Sequence, residues 1–229
     1  MFVAAEDSNF GPKKGQYAVS IDATPLLNYA GNLLSGYTGQ NHVDDLYFIK
    51  DFGVYGKKYI SDTNAYRLGV NLDLSSLKTN QPGTPGTGAL ESTTVNNTDI
   101  GLSAGIEYRK GKGRLQGFYG PMVGIGIGSY STKYAYNGTP NTEAHLESID
   151  GSTINFGLGG FAGVEYFISK QIAVGTEFNI MLKYSSTGRS TDKYQGSPDV
   201  KGGSSSEISF GFGQSAFAPC GRLYVSLYF

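Results

Sequence analysis

The chain has 229 residues, enough for one domain or for one barrel with long loops. Its net charge of −1, with no basic patch beyond residues 109–114, argues against a nucleic-acid binder. No run of about 18 apolar residues exists, so no transmembrane helix is present, although membrane strands are shorter and only half apolar.

Glycine (34 residues) and tyrosine (17 residues, with no tryptophan) are over-represented, and much of the glycine falls at alternate positions inside apolar segments. The one cysteine, Cys220, cannot close an intrachain disulfide and reads as a small buried side chain. Met1–Ala5 is too short for a signal peptide, so an exported chain is expected to be a mature or trimmed form.

In chain order, residues 1–15 are polar and turn-rich and read as a leader. Gln16 to Leu27 alternates, with Tyr17, Val19, Ile21 and Ala23 opposite Ser20, Asp22 and Thr24. Leu46 to Ile60 is a weaker strand, because Lys57 and Lys58 occupy both faces. Ala65 to Ser76 sets Tyr66, Leu68, Val70, Leu72 and Leu74 against Arg67, Asn71, Asp73 and Ser75. Leu77 to Thr98, containing QPGTPGTG, reads as a long loop.

Asp99 to Tyr130 is the clearest stretch. Ile100, Leu102, Ala104, Ile106 and Tyr108 alternate with Asp99, Gly101, Ser103, Gly105 and Glu107. A cationic, glycine-rich turn follows at Arg109–Arg114. Leu115, Tyr119, Val123, Ile125 and Ile127 then alternate with Gln116, Gly120, Gly124, Gly126 and Gly128. A second polar loop is expected near residues 131–152, strands at Thr153–Phe167 and Ile172–Tyr184, and a third loop at residues 185–206. The last segment changes parity between Phe212 and Leu223, which requires a bulge, placed near Pro219.

Long polar loops therefore alternate with short turns along about eight strands. That argues against a sandwich and for an antiparallel, eight-stranded transmembrane β-barrel with long extracellular loops and short periplasmic turns. The barrel is expected over residues 16–229, with both termini periplasmic. Tyr17, Tyr66, Tyr108, Tyr119 and Tyr166 cluster at the short-turn ends, as an aromatic girdle would.

A barrel of about eight strands is just wide enough inside for its own side chains. The inward set includes Asp22, Arg67, Asp73, Glu107, Glu165, Glu177, Lys183 and Arg222. Lone buried charges are prohibitively costly, so these are expected to pair and close the lumen. Arg67, Glu107, Gln116 and Glu165 are expected at one depth, and Asp22, Glu177 and Arg222 in a layer above. The competing reading is a narrow ion or small-solute path.

Gly124–Gly128 lacks the spacing of a phosphate loop and no helix follows it, so no nucleotide site is expected. The glycines are better explained as inward positions in a crowded lumen. His42 lies with Asp44 and Asp45, and His145 with Glu143, Glu147 and Asp150, which allows a rim hydrolase or a divalent-cation site as lesser alternatives. Solvated loops are the default, so no catalytic residue, cofactor or metal is assigned.

Three stretches, 56–67, 107–120 and 163–167, resemble small OmpA/OmpX-like outer-membrane barrels of the type seen in Bacteroidota. The C-terminal segment Leu223–Phe229, ending on an aromatic, looks like the signal by which the barrel-assembly machinery recognises its clients. The resemblance implies outer-membrane location in a Gram-negative cell and contact with lipid and lipopolysaccharide. It implies no single activity, since members anchor, adhere or serve as accessory subunits. The second, peptidoglycan-binding domain of full-length OmpA is missing, so cell-wall anchoring is not expected. The expected function is a non-enzymatic barrel acting through other outer-membrane proteins.

Overall fold

The computed structural model describes residues 10–23, 52–81, 88–111, 113–140, 144–212 and 222–229. Among these, twelve strands run in sequence: β1 (Tyr17–Asp22), β2 (Phe52–Tyr59), β3 (Asn64–Asn80), β4 (Ala89–Lys110), β5 (Leu115–Asn137) and β6 (His145–Ile149). They continue with β7 (Thr153–Phe167), β8 (Ile172–Thr187), β9 (Thr191–Tyr194), β10 (Val200–Lys201), β11 (Ser205–Phe212) and β12 (Arg222–Tyr228). Every pairing is antiparallel. Eight of the strands close a ring in the order β1-β2-β3-β4-β5-β7-β8-β12, sealed where Ala18–Asp22 pairs with Tyr228–Tyr224. This is the eight-stranded barrel that the alternation predicts. In lipid, only such closure satisfies the backbone groups of every strand.

The ring is apolar outside and polar within. Leu68, Leu102, Val123, Leu158, Phe178 and Leu227 stand exposed on the outer wall, while Glu107, Glu165, Glu177, Arg67, Arg222 and Asn179 are buried inside. Apolar side chains also fill the lumen in two groups. Tyr59, Phe167 and Tyr228 pack at the short-turn end, with Phe10 against them; Phe118, Met122, Phe161, Met181 and Tyr224 pack above. Inward glycines leave room for these rings, as a Cβ at Gly175 would stand 2.5 Å from the Tyr224 hydroxyl.

The structure settles the parity of β2. Tyr55, Lys57 and Tyr59 point inward and Lys58 outward. Residues 10–15, the described part of the expected leader, are fastened to the short-turn end. The Lys14 amide donates to Asp62 Oδ1 at 2.8 Å, the Gly15 amide to the Tyr59 carbonyl at 2.8 Å, and Gln116 Nε2 to the Phe10 carbonyl at 3.0 Å. Gly11 has φ +111°, and a Cβ there would run into the Gln116 amide, so the chain can cross the mouth only with glycine at this position.

The three expected loops are largely strand. The β3–β4 ladder runs unbroken from Asn64↔Tyr108 to Asn80↔Ser92, and β4–β5 pairing continues to Ala89↔Asn137. Residues 145–149 and 191–194 pair with each other, and β6 extends the edge of β5. At 22 and 23 residues, β4 and β5 are about twice what a membrane requires. Beyond the lipid both faces of the ladder meet water. Alternation therefore disappears although pairing does not, and stretches such as Glu91–Thr98, rich in threonine and asparagine, look like loop. The parity change also differs from a one-residue bulge. Ten steps of chain from Phe212 to Arg222 advance the partner strand by only three, from Ile180 to Glu177. The excess of seven is odd and so reverses the faces. Pro219 itself, and the strand residues expected at 24–27 and 46–51, lie outside the described residues.

Hydrogen exchange separates ladder from loop. The amides of Thr93, Val95 and Tyr134 are expected to be protected at least ~100-fold, an opening cost of about 2.7 kcal/mol. Exchange at the rate of an unstructured chain would refute the extended ladder.

Candidate functional site

Strand parity determines what meets inside the barrel. Lys57 of β2 lies beside Arg67 of β3 in the register, an unfavourable pair of neighbouring cations. Glu107, two strands away from Lys57, resolves it: its Oε2 lies 3.0 Å from Lys57 Nζ and 3.7 Å from Arg67 Nη1. Arg67 reaches on to Glu177 at 2.6 Å, and Glu177 to Arg222, its register partner on β12, at 2.9 Å. In the other direction Lys57 meets Glu165 at 3.5 Å, and Glu165 also takes the Arg109 guanidinium. Cation and carboxylate thus alternate without a break through Arg109, Glu165, Lys57, Glu107, Arg67, Glu177 and Arg222. Arg109 lies 3.3 Å from Glu107, which folds one end of this line into a ring.

Neutral donors and aromatic faces complete the network. Tyr228 and Ser226 hydroxyls donate to Glu165 at 2.5 and 2.7 Å, and the Tyr59 hydroxyl to Glu107 at 3.2 Å. Arg109 Nη1 donates to the Tyr59 and Tyr228 oxygens at 2.5 and 2.7 Å. Arg222 lies over the Tyr55 ring at 3.4 Å, Arg67 over Phe161 at 4.2 Å and Lys57 over Phe118 at 5.0 Å. With Asp22 included, the buried charged side chains among the described residues are four cations and four carboxylates. Ion pairing satisfies the charges of the line, whereas Arg67 Nε, Arg109 Nε, Arg222 Nε and the Tyr224 hydroxyl are buried without a hydrogen-bond partner.

Of the residues expected in this network, Arg67, Glu107, Glu165, Glu177 and Arg222 meet, and Asp22 is buried at the same level of the wall as Tyr224. Two do not join them. Asp73 accepts from Asn97 Nδ2 at 3.1 Å, six residues along β3 from Arg67. Lys183 lines a separate polar cavity of about 430 Å³ with Asp99, Asn155 and Tyr130 at the long-strand end. Gln116 faces the short-turn mouth, donating to Phe10 and Gly113 carbonyls rather than to a carboxylate. Gln116 is nevertheless the register partner of Glu165, at the depth expected for it.

Sequence reasoning missed Lys57 and Arg109. Their signal was present: the expected inward set held five acids against three cations, an imbalance that a closed lumen does not tolerate. Arg109 shares the parity of Glu107, two residues on, although its neighbours read as turn.

The tyrosines of the expected girdle, Tyr17, Tyr66, Tyr108, Tyr119 and Tyr166, all stand exposed on the outer wall near the short turns. Tyr108 and Tyr119 pack at 5.8 Å, and Lys58 and Lys110 lie over Tyr17 and Tyr119. Phe229 stacks on Tyr17 at 6.3 Å, and the two residues exchange backbone hydrogen bonds of 2.8 and 2.9 Å. The terminal aromatic therefore closes the β1–β12 seam.

At the long-strand end, His145 is held between the Tyr134 and Tyr194 rings at 5.0 and 4.7 Å, with Nε2 at 3.2 Å from Asp192 Oδ1. Ser148 donates to that same Asp192 oxygen at 2.7 Å rather than to the imidazole, so hydroxyl, imidazole and carboxylate do not form a relay. Glu147 accepts from Lys193 at 2.8 Å and lies 3.3 Å from Lys133. The Lys193 hydrogen bond holds the Glu147 carboxyl below its ordinary range, and Glu147 raises the Lys193 ammonium in turn. Such pairs join β5, β6 and β9 across the ladder. Among the described residues no cluster of three or more metal-ligating groups occurs. His42, Asp44, Asp45, Glu143 and Cys220 lie outside the described residues.

The lumen network makes a sharp energetic prediction. Glu165→Ala leaves Lys57 and Arg109 without their shared carboxylate, and is expected to cost about 3–5 kcal/mol in urea unfolding from micelles. Asp73→Ala, outside the network, is expected to cost about 1 kcal/mol. Equal losses would contradict the arrangement.

A comparison with curated proteins gives no match. The sequence does match a family described as outer membrane protein beta-barrel domain, over residues 15–213. That span takes in the ring from β1 through β8, together with its extensions, and agrees with the inverted distribution of polar and apolar side chains. The chain belongs to the outer membrane protein beta-barrel domain family and is an integral outer-membrane barrel.

Proposed function

We propose that this barrel is not an enzyme and acts by contact, as an accessory subunit of a larger outer-membrane assembly. One observation carries the reading: the alternating charge line from Arg109 to Arg222, with its aromatic packing, occupies the lumen. A barrel so filled has its walls and extensions left for function. The extended ladders of β3–β6 and β9 supply a polar surface beyond the lipid, stiff enough to present a fixed epitope. In this reading the short turns and both termini are periplasmic, and the extensions face outward. Lipid and lipopolysaccharide surround the wall, the assembly machinery acts during biogenesis, and nucleic acid is no partner.

A narrow channel is the second reading, favoured by the same line of charges, because alternating cations and carboxylates can also line an ion path. A surface hydrolase built on His145 has less support, since Ser148 and His145 compete for one Asp192 oxygen.

Native purification tests the proposal. The tagged protein, extracted in mild detergent, is expected to elute with a stoichiometric companion, detected by composition and mass. Elution as a lone monomer under conditions that preserve other outer-membrane complexes would overturn the subunit reading.

A further inference from the structure

The outer wall is not uniformly convex. Where β5, β7 and β8 run side by side, the outward row of β7 passes from Leu158 through Gly160 and Ala162 to Val164, and the two small residues leave a dent. Tyr119 and Pro121 of β5 form one bank and Phe178 of β8 the other, with Tyr108 of β4 at the short-turn end, enclosing about 380 Å³. The walls are almost wholly apolar. Strand chemistry produces the dent: Pro121 has no N–H for the ladder, and the β4–β5 ladder is interrupted between Gly105↔Met122 and Tyr108↔Tyr119. The backbones also approach closely there, since a Cβ on Gly120 would meet the Ile106 carbonyl at 1.7 Å.

We propose that this groove holds one acyl chain of an anionic phospholipid whose phosphate is bound at the short-turn rim. The chain is an outer-membrane barrel, so lipid covers this face. Two features select the anionic headgroup. Lys110, exposed, extends over the Tyr119 ring at 5.8 Å, directly at the mouth of the groove. The rim around it carries exposed Lys13, Lys14, Lys58, Arg114 and Lys170, and its described acidic side chain, Asp62, is already within 3.8 Å of Lys13. A cationic collar above an aromatic belt attracts phosphate at headgroup depth, and the groove then distinguishes a seated lipid from a passing one. The proposal stands apart from the subunit reading: a lone monomer would bind the lipid equally.

Native mass spectrometry of the purified barrel, released from neutral detergent, tests it with dioleoyl-phosphatidylglycerol and dioleoyl-phosphatidylcholine as probes. The expected result is one phosphatidylglycerol retained per barrel, about fivefold over phosphatidylcholine, the weight of one cation at a membrane surface. Ala162→Phe fills the groove and should abolish retention of both lipids. Lys110→Gln should bring phosphatidylglycerol down to the phosphatidylcholine level without touching the fold, and Lys201→Gln, exposed in β10 at the long-strand end, should change nothing. Equal retention of the two lipids, or retention indifferent to Lys110→Gln, would mean annular lipid only and overturn the proposal. So would loss of a co-purifying protein from Ala162→Phe with lipid retention intact, which would make the groove a protein seat.

Discussion

The charged side chains buried inside one narrow ring, eight among the described residues, must compensate one another, and the rest of the barrel is arranged so that they do. An unpaired charge in that interior would cost far more than the few kcal/mol by which most domains are stable. Glu107, Glu165 and Glu177 therefore each lie between cations, and each cation lies between carboxylates or over an aromatic face. The requirement reaches back to the register. Shifting β4, β7 or β8 by one residue would turn Glu107, Glu165 or Glu177 into lipid and bring apolar side chains inside. Interior electrostatics and exterior solvation thus specify the same register independently.

The bilayer supplies the second half of that agreement. In water, the exposed leucines, isoleucines and phenylalanines of this wall would form an apolar surface far larger than soluble proteins carry. In lipid they are solvated, and the polar interior is the side that needs a partner. The N-terminal segment adds a closure at one end: Phe10 packs against the cluster that contains Tyr59, Phe167 and Tyr228, Arg114 lies over the Phe10 ring at 4.3 Å, and Gln116 fixes the backbone across the mouth.

Much of this was legible in the sequence, and the limits are physical. Wherever a strand divides lipid from lumen, its period-two pattern is strong, and in Tyr66–Leu74, Ile100–Tyr108 and Ile172–Tyr184 the alternation matches the observed faces. Where β3, β4, β5 and β8 leave the lipid, both faces are wet and the pattern carries no information, so paired strand looked like loop. β2 was ambiguous because Lys58 reaches over Tyr17 at the membrane edge while Lys57 is buried in the network. The lumen residues could be placed on the inward face, but which of them touch depends on barrel curvature and rotamers. Hence Arg67, Glu107, Glu165, Glu177 and Arg222 meet, Asp73 does not, and Lys57 and Arg109 supply the missing positive charge.

The central claim is that this network closes the lumen. Planar-bilayer recording of the reconstituted barrel tests it most directly. The account predicts electrical silence across the accessible voltage range. Steady, ion-selective conductance from the unmodified protein would contradict it, and would turn the same line of charges from a plug into a path.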